Sequence, residues 1–117
     1  MQYLLLIYDD EANMAKMDGE EQKAFMAEYF TYTEALKEAG AFIAGDALQS
    51  VSTATSVRIR EGERMITDGP FAETKEQLGG YYLIEAANLD EAIEWGAKIP
   101  SARYGTIEVR PIMTFDE

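Results

Sequence analysis

The 117-residue sequence contains no cysteine and no histidine. The missing cysteines exclude disulfide bonds and thiolate nucleophiles, and the missing histidines exclude His-based catalytic triads and zinc-finger sites. The lack of cysteine also fits a reducing compartment, so we expect a cytoplasmic protein. Any chemistry that this chain performs must therefore use carboxylates, hydroxyls, amines or guanidinium groups.

Basic residues are also scarce. Ten lysines and arginines stand against 22 aspartates and glutamates, which gives a net charge of −12. That charge repels phosphate backbones and anionic membranes, so we expect no nucleic-acid or membrane partner; keeping the protein soluble is the simpler role for it. The apolar run at residues 3–8 is too short to span a bilayer and lacks the features of a signal peptide.

Hydrophobic residues make up 47% of the chain, a level typical of a folded protein, and the length predicts one domain over residues 1–117. Asp18, with Glu21 three residues later, predicts the start of a long helix that stops before Gly40. Asn88 predicts the start of a second helix, and Pro100 its end. Periodicity predicts strands at residues 3–8, 41–48, 55–60, 64–67, 81–86 and 106–113, and loops at 11–17 and 49–54.

This order predicts an α+β fold: a ferredoxin-like sheet with two helices on one face, and an extra hairpin from residues 55–60 and 64–67. Residues 3–8 and 81–84 are apolar throughout rather than alternating. Two helices on one side cannot bury both faces of such strands. We therefore expect a second copy of the chain to cover the other face, which makes the protein a homodimer.

The most distinctive segment is residues 67–84, TDGPFAETKEQLGGYYLI, which joins an Asp-Gly-Pro turn, a mixed-charge loop and a glycine-led apolar strand. Together with residues 3–8, 36–40, 48–49, 53–55 and 107–111, it resembles the DGPF-motif branch of the YCII-related proteins over nearly the whole chain. The resemblance implies a dimeric α+β barrel in which two ferredoxin-like sheets face each other.

The resemblance also implies a site. YCII relatives are thought to use a histidine–aspartate pair in a pocket; Asp46 lies where that aspartate is expected, and Tyr29 where the histidine is expected. Tyrosine, with an ordinary pKa of about 10, is a poor base at neutral pH. The catalytic residue stays unknown: Asp46 is a weak candidate, Glu73 could also act as an acid or base, and whether the protein is an enzyme stays open.

Five residues are candidates for ligand binding: Asp68, Glu73, Lys75, Tyr29 and Tyr82. The first three lie on the distinctive loop, where a rigid scaffold could present them to a ligand. The two tyrosines would form an aromatic wall between the first helix and the sheet. The structural alternatives are an Asx-type turn at Asp68, a solvated loop, and tyrosines that only fill the core.

The sequence leaves three functions open. The first is a small-molecule-binding protein or enzyme with its pocket between sheet and helices, near the dimer interface. The second is a non-enzymatic regulatory partner linked to transcription through sigma factors of the extracytoplasmic type, as the resemblance suggests; the third is a structural dimer. We expect no cofactor. We also expect no metal, because the acidic runs at residues 9–11 and 116–117 lack the spaced ligands of a metal site and are typical of solvated charge.

Overall fold

A computed structural model describes residues 1–115; the acidic pair at 116–117 lies outside the described residues. The strands are β1 (Gln2–Asp9), β2 (Phe42–Ala47), β3 (Thr55–Arg60), β4 (Glu63–Asp68), β5 (Gln77–Glu85) and β6 (Thr106–Pro111). The helices are α1 (Glu11–Ala15), α2 (Gly19–Glu38) and α3 (Leu89–Ala97), with 3₁₀ turns at Val51–Thr53 and Pro100–Arg103.

Four strands form the main sheet in the order β2-β5-β1-β6, and every neighbouring pair is antiparallel. The long helix α2 connects β1 to β2, and α3 connects β5 to β6. This is the strand order of a ferredoxin-like sheet, and the predicted α+β fold is confirmed. The strands β3 and β4 pair only with each other and form a separate hairpin, called the arm below.

The long helix begins and ends at the predicted signals. The Asp18 carboxylate accepts a hydrogen bond from the Glu21 amide at 2.8 Å, and the Glu21 carboxylate accepts one from the Asp18 amide at 3.3 Å. Such a capping box stabilises a helix start by about 1 kcal/mol. Gly40, at φ +71°, ends the helix in a conformation that other residues avoid.

One face of the main sheet is covered by the helices. Leu5 of β1, Ile84 of β5 and Leu36 of α2 are fully buried and lie in one apolar core. Tyr32 and Ile99 join this core from the helix side, with Trp95 packed against it. Burying a large aliphatic side chain in this way contributes about 1.5–3 kcal/mol each.

The opposite face, called the open face below, carries a different set of side chains. Leu4 and Leu6 of β1 are half-buried and lie opposite Leu83 and Tyr81 of β5. On the other side of β1, Glu108 of β6 pairs with Leu6 in register. The alternation of buried and half-buried residues along β1 places both helices on the other side of the sheet.

The arm is exposed on both of its faces. Its turn places Glu61 at φ +52° and Gly62 at φ +78°, the positive values that a two-residue hairpin turn requires. Ser56 is half-buried, and the other residues of its two strands are exposed. The predicted hairpin is therefore present, held by its own ladder and turn.

One predicted loop and two predicted strand boundaries were wrong. Residues 11–15 form the helix α1 rather than a loop, because Asp10 caps it by accepting from the Ala12 amide at 3.0 Å. Strand β5 begins at Gln77 rather than 81, because the pairing with β1 continues to Asp9–Gln77 beyond an irregularity at Gly79 of β5. Strand β6 ends at Pro111, which has no N–H to donate, rather than at 113. None of the helices within residues 1–115 is long and apolar enough to cross a membrane.

Candidate functional site

A cleft of about 1120 Å³ lies between the helices α1 and α2 and the helix-covered side of the main sheet. Its floor comes from β1, β2 and β5, and its walls include Phe25 and Tyr29 of α2. Glycines of β2 and β5 lie on this floor at positions where a larger residue would collide with neighbouring atoms. A Cβ at Gly45 would approach the Tyr82 ring to 2.7 Å, and one at Gly80 would approach the Asp46 carbonyl to 2.8 Å.

Two pairs of hydroxyl groups lie in this apolar cleft. The Tyr29 hydroxyl and the Ser101 Oγ are 2.5 Å apart, and the Tyr82 hydroxyl and the Thr33 Oγ1 are 2.7 Å apart. Burial raises the pKa of Tyr29 and of Tyr82 above the ordinary value of 10.0. Both phenols are therefore neutral at pH 7, and they can donate or accept hydrogen bonds but not act as bases.

Charged groups line the mouth of the cleft. Four of them are carboxylates and one is an ammonium group: Asp9, Asp10, Glu11, Glu34 and Lys37. Several are already engaged: Asp9 Oδ1 accepts from the Asn13 side chain and from the Asp10 amide, both at 2.8 Å. The two Glu11 oxygens accept from Ser50 Oγ and the Val51 amide, which ties α1 to the loop after β2.

Asp46 borders the cleft, but its side chain lies on the open face, since its register partner Tyr81 pairs with Leu6 of that face. It lies near the end of β2, exposed, in register with Tyr81. The Tyr81 hydroxyl donates to Asp46 Oδ2 at 2.7 Å, and this hydrogen bond raises the pKa of Tyr81. Within residues 1–115 no hydrogen bond joins Asp46 to Tyr29, whose hydroxyl is paired with Ser101 instead. The two positions that the resemblance paired are thus separately engaged.

The remaining candidates lie away from the cleft. Asp68 ends β4, and Glu73 and Lys75 follow on the loop to β5; all three are exposed, and none lines the cleft. Within the loop, Thr74 Oγ1 donates a hydrogen bond to the Glu76 carbonyl at 2.6 Å, which satisfies that backbone acceptor. A binding role for Asp68, Glu73 or Lys75 stays a prediction, and it would require a different surface.

A family model of the YCII-related domain matches residues 1–116. This chain belongs to the YCII-related family. It is 37% identical over 117 residues to an uncharacterized protein of Rhizobium meliloti (strain 1021), with 98% of this chain and 94% of that protein covered. Its fold is similar to that of 5-chloro-2-hydroxyhydroquinone dehydrochlorinase (TftG) from Burkholderia phenoliruptrix AC1100, solved in complex with 2,5-dihydroxybenzoquinone. That match has a TM-score of 0.59 and 16% identity, and covers 97% of this chain and 94% of the other.

In this YCII-related chain, sequence reasoning placed Tyr29 and Tyr82 between α2 and the sheet, and both line the cleft there. Among the lining residues that it did not name as binding candidates are Asp9, Thr33 and Ser101. Thr33 had a local signal, because it follows Tyr29 by one helical turn on the same face of α2. Ser101 had none, because it meets Tyr29 from 72 residues away.

Two other features of the molecule do not form a comparable site. A depression of about 450 Å³ lies along α3, lined by charged residues, Asn88 and Trp95, with no residue from the sheet. Among residues 1–115, no group of three or more Asp or Glu side chains is placed to hold a metal ion. The cleft beneath α2 is therefore the best candidate site in the described chain.

Proposed function

We propose that this protein binds a small molecule with an apolar ring in the cleft beneath α2. The observation that carries this proposal is the pairing of an apolar, aromatic-walled cleft with two neutral hydroxyl pairs at Tyr29–Ser101 and Tyr82–Thr33. Ligand sites commonly combine apolar walls with a few fixed polar groups that orient the ligand. The fold relative TftG was solved with a hydroxylated quinone, a ring-shaped ligand that fits the same description.

The proposed role of the cleft is ligand binding, and no reaction is assigned to it. Tyr29 and Tyr82 have pKa values raised by burial, which disfavours a role as base. Asp46 stays the candidate catalytic carboxylate for any turnover, but its side chain lies beside Tyr81 on the open face. A reaction at Asp46 would therefore take place on the open face rather than in the cleft.

We also propose that the functional unit is a homodimer joined through the open face, as in a dimeric α+β barrel. Supporting this are Leu4, Leu6 and Leu83, apolar side chains that are only half-buried on a face with no helix over it. An interface of this kind buries on the order of 2,000 Å² or more. The Asp-Gly-Pro-Phe sequence at 68–71 supports placing the chain in the DGPF branch of its family.

A regulatory role without a ligand is the second candidate, and the exposed apolar side chains of the arm favour it. Val57, Ile59 and Ile66 are each more than half exposed, and Phe71 beyond the arm is 79% exposed. Surfaces of this kind mark sites of protein association. A sigma-factor-linked partner would be one occupant of such a surface.

The test is a thermal-shift screen of ring-containing metabolites on the full chain, repeated with Thr33→Val and Tyr82→Phe. A ligand that binds only the folded state must raise the melting temperature. We expect hits whose shift shrinks in both variants, because each removes one hydroxyl from the cleft. Lys75→Ala, on the exposed loop, is the matched control and should keep the full shift. Hits that lose their shift only in the control would contradict this location.

A further inference from the structure

We infer that the cleft is selective for cationic ligands: it takes an aromatic amine in its protonated form and rejects aromatic carboxylates, sulfonates and phosphates. This inference rests on the proposed binding role and adds the charge of the ligand to it. The preference for cations follows from the charged groups that line the cleft and from the contacts that these groups already make.

The charge around the cleft is strongly one-sided. Among residues 1–115, four carboxylates face it, contributed by α1 with its flanking residues and by α2, against the single ammonium group of Lys37. Low-dielectric walls focus the field of such groups into the space between them. A cation entering this space meets a favourable potential, and an anion meets an unfavourable one.

Lys37 is poorly placed to offset this for an anionic ligand. Its ammonium group lies 5.3 Å from the centroid of the Phe42 ring and 3.9 Å from Glu34 Oε1, at the exposed rim of the cleft. No other lysine or arginine lines the cleft within residues 1–115. An anion would therefore lose hydration on entry without gaining a counter-charge at the bottom of the site.

The cleft also offers the groups that hold an organic ammonium ion. Asp9 accepts its two hydrogen bonds at Oδ1, and Oδ2 receives none from residues 1–115, so this oxygen remains open to an N–H donor. Aromatic rings stand nearby: Phe25 and Tyr29 meet edge to face at 5.4 Å, and Tyr82 and Phe42 at 6.4 Å. Aromatic faces attract ammonium groups, and aromatic edges accommodate a ligand ring.

The experiment compares three ligands that share one ring: 2-phenylethylamine, 2-phenylethanol and phenylacetate. Affinities are measured on the full chain by calorimetry at pH 7, in low and in high salt. We expect the amine to bind about fivefold tighter than the alcohol, the gain of a partly exposed ion pair, with phenylacetate weakest. High salt should narrow the gap between amine and alcohol.

Asp9→Asn should remove most of the amine's advantage and leave the affinity for the alcohol unchanged. Because Asp9 also accepts a backbone hydrogen bond, Glu34→Gln on the exposed side of α2 serves as a second variant, with a smaller loss expected. Glu63→Gln, on the exposed arm outside the cleft, is the matched control for a lost negative charge. All variants are first checked for an unchanged melting temperature.

The outcomes separate the two proposals. Tighter binding of phenylacetate than of the amine, or an equal loss for amine and alcohol in Asp9→Asn, overturns the charge selectivity while the cleft stays a binding site. If none of the three compounds binds at millimolar concentration, both the charge selectivity and the proposed binding of ring-shaped ligands are contradicted.

Discussion

The main sheet and the arm are both built from antiparallel strands, but their apolar side chains lie in opposite environments. Alternate residues of β1 are buried, with Leu5 at 0% exposure, whereas Val57 and Ile59 of β3 are 59% and 58% exposed. Strand β1 is apolar at nearly every position and β3 alternates apolar with polar residues, yet both patterns predict a strand. The pattern therefore predicts the local conformation, whereas the burial of an apolar side chain depends on the element that covers it.

The arm also shows how little holds an uncovered hairpin. Its register is set by the Glu61-Gly62 turn and by antiparallel pairs such as Val57 with Ile66. A two-stranded hairpin of this kind is marginally stable in water by itself. The main sheet, by contrast, is stabilised by α2 and α3. Substitutions in the main sheet and its core should therefore cost more stability than substitutions in the arm.

The largest effect is expected in the covered core. Leu36→Ala should destabilise the protein by about 2–5 kcal/mol, because it removes a fully buried side chain and leaves a cavity. Leu5→Asp should prevent folding, since it places an unpaired charge at a position that is 0% exposed. Urea unfolding followed by circular dichroism measures both; a cost below about 1 kcal/mol for Leu36→Ala would contradict this description of the core.

The open face should respond differently from the covered face. Leu6 neighbours Leu5 in β1 but points to the open face, so Leu6→Asp should dissociate the proposed dimer and leave a folded monomer. The uniformly apolar run at residues 3–8 does not distinguish the two leucines by sequence; the structure places Leu5 in the core. Light scattering at micromolar concentration gives the mass. A monomeric unmodified protein under these conditions would contradict the dimer.

Alkaline pH should lower the stability of the protein through the buried tyrosines on the helix-covered side of the sheet. Burial raises the pKa of Tyr29, Tyr32 and Tyr82 above the ordinary value of 10.0. Below about pH 10 these phenols are protonated in both states, and their contribution to stability is fully present. Above that pH the unfolded chain ionises first, so stability falls as the pH rises toward the raised values of the folded state.

Melting temperatures between pH 8 and pH 11 test this sign, with phenolate absorbance recorded in parallel. Tyr32→Phe removes one buried phenol and should make the decline above about pH 10 shallower, although it also loses the bond to the Trp95 carbonyl. Phenolate absorbance of the folded protein that reaches its full amplitude near pH 10 would contradict the burial of these rings.

Much of the fold could be predicted from the sequence because its signals are local. Asp18 and Gly40 mark the two ends of α2 through their own backbone chemistry. Helix α1 was missed because its cap, Asp10, sits within an acidic run that reads as solvated charge. The start of β5 was missed because Gln77 is polar, and only its pairing with Asp9 reveals it as a strand residue.

The candidate site was harder to predict, because distinctive sequence and site position do not coincide. Asp68, Glu73 and Lys75 lie on the most recognisable segment, yet they are exposed outside the cleft. Gly69 there adopts φ +96°, so part of that segment's identity is explained by backbone geometry alone. The hydroxyl pair of Tyr29 and Ser101 depends on a long-range contact that periodicity cannot reveal.

We expect the smallest change in stability for a substitution in the arm. This change tests the comparison between the arm and the main sheet most directly. Val57→Ala should change the free energy of unfolding by less than about 0.5 kcal/mol, because the side chain is 59% exposed and leaves no cavity. Leu36→Ala, measured under the same urea titration, is the matched reference. A cost for Val57→Ala that approaches the Leu36→Ala value would mean that another molecule covers the arm. If that cost rises with protein concentration, the covering molecule is a second copy of this chain, because association stabilises the folded state by mass action.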